Sequence, residues 1–114
     1  QDLNEAILLN PQMAISYRDR GLTYINLEQY QLAVMDLHEA IRLNPESARA
    51  YQLRGSAYGN LGQYQNAISD FDEAIRINPE NPDAYNNRGK AYLELGKITD
   101  AERDFSKAKQ LQTN

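Results

Sequence analysis

The 114-residue sequence contains no cysteine, which excludes disulfides and thiolate metal sites and leaves the redox compartment unread. It is poor in positive charge. Its 12 Lys and Arg stand against 16 Asp and Glu, a net charge of −4. A nucleic-acid or anionic-membrane partner would need a basic patch to neutralise phosphates, so neither is expected. No apolar run approaches the roughly 18–20 residues of a bilayer-spanning helix, so membrane insertion is not expected. The opening residues, Gln1 to Glu5, lack the basic start and apolar stretch of a signal peptide, and a cytoplasmic setting is the favoured expectation. His38 is the only histidine, and its surroundings suggest no activated serine for a Ser-His-Asp constellation. No Gly-rich phosphate loop, paired-histidine motif or calcium loop occurs. The expectation is a non-enzyme that needs no cofactor and no metal. The length suits one domain.

What is present is regularity. Tyr17, Tyr51 and Tyr85 lie 34 residues apart. The same step relates Arg20-Gly21, Arg54-Gly55 and Arg88-Gly89; Tyr24, Tyr58 and Tyr92; Ala33, Ala67 and Ala101; Leu37, Phe71 and Phe105; and Ala40, Ala74 and Ala108. All eight tyrosines and both phenylalanines fall in these columns or in the Tyr30/Tyr64 column. Within one unit, Tyr17, Gly21, Tyr24 and Leu27 are spaced for one face of a helix, and Tyr30, Ala33, Val34, Leu37, Ala40 and Ile41 for a second. Glu28, Gly62 and Gly96 separate the paired helices, where glycine suits a C-terminal cap. Asn44-Pro45 and Asn78-Pro79 end the second helices, because the residue before proline is pushed out of helical geometry. The pattern predicts helices near 2–9, 14–27, 30–43, 48–61, 64–77, 82–95 and 98–111.

This pattern resembles the tetratricopeptide-repeat family, whose unit of 34 residues carries large residues, Gly, Ala and Pro at fixed offsets. The resemblance implies an all-α, right-handed superhelical solenoid of helix-turn-helix repeats with about seven helices. Full repeats are expected at 14–47, 48–81 and 82–114. Asp2 to Pro11 overlay Asp36 to Pro45 at the same step, so an orphan second helix is expected at 1–11, in a fragment of a longer protein. Gly21, Gly55 and Gly89 would cost about 1 kcal/mol each inside helices, and are expected to let the paired helices approach closely opposite Ala33, Ala67 and Ala101. Arg20, Arg54 and Arg88 recur with Asp36, Asp70 and Asp104, which predicts one partly buried ion pair per repeat.

Such arrays present an extended inner surface, formed by the first helix of each pair, on which the family usually binds peptides or partner helices. A chaperone-binding branch of the family grips a C-terminal carboxylate with Lys, Asn and Arg residues. Here the corresponding positions hold Arg18, Leu22, Leu53, Asp83 and Asn87, so that clamp is not expected. The candidate groove comprises Ile15, Arg18, Leu22, Ile25, Arg49, Gln52, Ser56, Asn60, Asn86 and Lys90. Ile15, Leu22 and Ile25 read as apolar surface beyond the core face, flanked by Arg18 and Arg49. The expected function is a protein-interaction scaffold for a protein or peptide ligand; the alternatives are a self-association element or a regulatory module of a larger enzyme. Leu3, Ile7 and Leu8 place any weak self-association on residues 1–9.

Overall fold

The computed structural model describes residues 11–113, which form six α-helices: α1 (Pro11–Asn26), α2 (Tyr30–Leu43), α3 (Ala48–Asn60), α4 (Tyr64–Ile77), α5 (Pro82–Glu94) and α6 (Ile98–Thr113). The orphan helix expected at 2–9 and the self-association surface assigned to residues 1–9 lie outside the described residues. Five helices agree with the periodicity to within two residues at both ends. The exception is α1, which begins at Pro11 rather than residue 14. The reason is a missing cap. Ser47 accepts a hydrogen bond from the Ala50 backbone N–H (3.2 Å) and starts α3, and Asn81 accepts one from Asp83 (3.0 Å) and starts α5. The same column in the first repeat holds Met13, which cannot accept such a bond. The helix is already formed at Pro11, the first described residue, where proline is tolerated in a first turn.

The three tight turns share one geometry. Gln29 N–H bonds to the Tyr24 carbonyl at 2.8 Å and Glu28 N–H to the Ile25 carbonyl at 2.9 Å. Gln63 to Tyr58 and Gly62 to Gly59 repeat this pattern, as do Lys97 to Tyr92 and Gly96 to Leu93. These are Schellman caps, which need a residue in the left-handed region. Gly62 and Gly96 supply it at φ 78° and 76°; Glu28 is forced to 60°.

Each helix packs on the one before it, as α1·α2, α3·α4 and α5·α6 within hairpins and α2·α3 and α4·α5 between them. In addition α1 touches α3 and α3 touches α5, whereas α2, α4 and α6 make no such contacts with one another. One layer is close and the other splayed, so the stack bends with α1, α3 and α5 on its concave side. The result is an all-α solenoid. The core runs between the helix layers: Ala33, Leu37, Ala57, Ala67 and Ala101 are essentially inaccessible. The helical glycines do permit close approach, but not opposite the alanines. A Cβ on Gly21, Gly55 or Gly89 would lie 2.6 Å from the side chain of Leu37, Phe71 or Phe105 respectively. A large side chain from the second helix fills the space over each glycine, and that packing offsets the glycine's cost.

The arginine–aspartate pairs form within hairpins. Arg54 donates from Nε and Nη2 to both carboxylate oxygens of Asp70 at 2.8 Å; Arg20 with Asp36 and Arg88 with Asp104 repeat the fork. Asp70 and Asp104 are buried, and Arg54 lies over the rings of Tyr51 and Tyr58 at 5.8 and 5.7 Å. Burial pushes the Asp70 carboxyl above its ordinary value, while the Arg54 hydrogen bonds pull it back. The remaining guanidinium nitrogen reaches the preceding hairpin. Arg88 Nη1 donates to Asp72 at 2.9 Å, and Arg54 Nη1 lies 3.4 Å from Nδ1 of His38, the exposed residue in the equivalent column. One arginine therefore ties its own hairpin and touches the next one back.

Candidate functional site: the concave face

The ten candidate residues do not form one surface. Leu22 and Ile25 are not surplus to folding: they pack on a buried cluster that includes Leu53 and Ala57 of α3. Beyond the core face that α1 turns toward α2, α1 has a second apolar neighbour, α3, which the curvature brings against it. Gln52 is 7 % exposed and accepts a hydrogen bond from Asn81 Nδ2 at 3.1 Å. Because Asn81 also caps α5, Gln52 supports the start of the next repeat through its side-chain oxygen. Ile15 and Arg18 line a slight hollow of about 20 Å³ with Ala14, Ala40, Asn44 and Ser47. Arg18 lies 3.5 Å from the carboxylate of its neighbour Asp19. Arg49 is exposed on the first turn of α3, and Asn86 is partly buried on α5. These residues do not converge on a cavity.

Ser56, Asn60 and Lys90 do converge. They line a groove of about 480 Å³ between α3 and α5, with Gly55, Gly59, Tyr64, Phe71, Asn87, Ala91, Leu93 and Glu94. Its floor is apolar and its rim carries amide, hydroxyl and charged groups. Asn60 donates from Nδ2 to the Ser56 carbonyl at 2.9 Å, which leaves its side-chain oxygen at the rim. Gly59, Asn87, Leu93 and Glu94 were not among the ten candidates. Side-chain volume, compared column by column, was the signal available for them. Leu22, Ile25 and Leu53 fill the junction of α1 with α3; their counterparts at the junction of α3 with α5 are Ser56, Gly59 and Asn87. Three apolar side chains become two small groups and an amide, and a groove opens.

No helix of the described residues is long and apolar enough to cross a membrane. Four family profiles match the chain. One described as TPR repeat matches residues 55–96, and three described as Tetratricopeptide repeat match 1–53, 39–69 and 82–114. No curated protein matches significantly. Among solved structures, the Arabidopsis OM64 TPR domain superposes with a TM-score of 0.89 at 31% identity, covering 91% of this chain and 86% of that one. The second TPR of Spaghetti (RPAP3), bound to the HSP90 peptide SRMEEVD, gives 0.87 at 30% identity over 90% of this chain and 95% of that one. MamA gives 0.85 at 30% identity over 97% of this chain and 65% of that one.

Proposed function

Because this chain belongs to the tetratricopeptide-repeat family, we propose that it is a protein-interaction scaffold whose concave face holds a peptide or partner helix. The groove between α3 and α5 carries the reading: it is concave, open, apolar at its base and polar at its rim, the usual build of a recognition site. Structural relatives that bind an HSP90 peptide support peptide binding as the general activity. They do not support the same peptide here. Two positions that would carry clamp asparagines hold Leu22, packed on the core, and Leu53, which is buried. Removing either leucine to build a clamp would open the first junction.

The test compares what three forms of residues 1–114 retain from a cell lysate, read by quantitative mass spectrometry. These are the unaltered chain, Lys90→Glu on the groove, and Ser69→Lys on the exposed face of the outer helix α4. Proteins lost at least tenfold, about 1.4 kcal/mol, with Lys90→Glu and kept with Ser69→Lys are concave-face partners. Both variants should melt with the parent. Identical sets from all three forms would place binding elsewhere.

A further inference from the structure

The first inter-repeat junction is an internal template for what the second one lacks. Where α1 meets α3, Leu22 and Ile25 pack branched aliphatic side chains on the buried cluster that includes Leu53 and Ala57. Where α3 meets α5, the corresponding insertions are Ser56 and Gly59, and the receiving surface keeps its alanine as Ala91 but exchanges leucine for Asn87. A Cβ built on Gly59 would meet nothing within 4 Å, so the vacated space is not refilled by neighbours. An apolar floor left open beneath a polar rim is stabilised by an apolar group brought from outside.

The rim carries a charge signal. Lys90 is exposed and makes no ion pair among the described residues. Glu94 stands one turn further along α5 and disfavours a carboxylate at that end. Asn87 stands one turn before Lys90 and can donate from its amide. We propose that the hollow takes one branched aliphatic side chain of an extended peptide, with an acidic residue beside it on the Asn87 side of Lys90. This rests on the scaffold reading above and specifies its ligand.

The probe is a set of capped hexapeptides with leucine, isoleucine, phenylalanine, alanine or serine at one central position and glutamate beside it. They are titrated into ¹⁵N-labelled residues 1–114. Leucine and isoleucine peptides should shift the amide signals of Ser56, Gly59, Asn87 and Ala91 and bind at least tenfold tighter than the alanine peptide. Gly59→Ile should abolish that binding without lowering the melting temperature, and Ser56→Leu should do the same by filling the hollow from the other position. Replacing the peptide's glutamate with lysine should weaken binding at least threefold, and Lys90→Glu should restore the lysine peptide. Equal affinity for alanine and leucine, preference for phenylalanine, or binding that survives both filling variants overturns the proposal. Shifts confined to another part of the concave face overturn it while leaving the scaffold reading standing. Failure of every peptide to bind also overturns it, and the scaffold reading is then judged by the lysate comparison alone.

Discussion

At the scale of single residues, each position in a column faces nearly the same surroundings, so departures from the column are interpretable. Gly55 and Ser56 are adjacent on α3 and have opposite tolerances. A Cβ on Gly55 would lie 2.6 Å from the Phe71 ring, whereas Ser56 borders open groove. Gly55→Leu should therefore lose about 1–3 kcal/mol or more through overpacking, and Ser56→Leu should be neutral or stabilising. Thermal melts of the two variants decide this; equal losses would refute the close-approach role of Gly55. Glu28 is the converse case, a residue with a Cβ at φ 60° where the other turns use glycine. Glu28→Gly should raise stability by about 1 kcal/mol, because the left-handed region costs a non-glycine residue roughly that much. Urea denaturation would show it as a raised midpoint with an unchanged slope.

At the scale of elements, the arginine–aspartate fork joins the two helices of a hairpin more specifically than apolar contact can. Arg54 is 16% exposed and Asp70 5% at their side chains, so removing the arginine strands a buried carboxylate. Arg54→Met should cost about 3–5 kcal/mol at neutral pH. The sign of its pH dependence follows from the same burial. Burial already raises Asp70 above its ordinary value, and loss of Arg54 removes the interaction that opposes the rise. A carboxyl whose folded pKa exceeds its unfolded value binds a proton more readily when folded, so the folded state gains stability as pH falls through that folded pKa. The deficit of Arg54→Met relative to the parent should thus shrink between pH 7 and about pH 4, near the unfolded carboxyl pKa. A deficit that stays constant or widens on acidification would mean that the variant's Asp70 remains solvated.

For the whole molecule, stability rests on each hairpin covering its neighbour, and the outer face of a hairpin reads as apolar or polar according to whether something covers it. Val34 and Ile41 pack on clusters that include residues of α3. The equivalent positions on α6 are Glu102 and Lys109, both exposed. Changing both to isoleucine should expose an apolar strip matching the one α2 buries, and the variant should self-associate at concentrations where the parent does not. Light scattering over a concentration series tests this; an unchanged mass would show that the strip alone does not make an interface.

The 34-residue period, the helix limits after the first, the turn caps and the arginine–aspartate columns were all legible in the sequence. Each depends on interactions of near neighbours or repeats in every unit, so one copy checks the others. The N-terminal limit of α1 was readable in principle from Met13 standing in a capping column. The packing of the concave face was not legible in the same way. Ile15, Leu22 and Ile25 stand out as apolar in a list of inner-face residues, and Ser56 and Gly59 look inert. Leu22 is packed because it meets a buried cluster that includes Leu53, a residue 31 positions later. Burial belongs to two helices together, and the tertiary structure decided which junction was filled and which was left open.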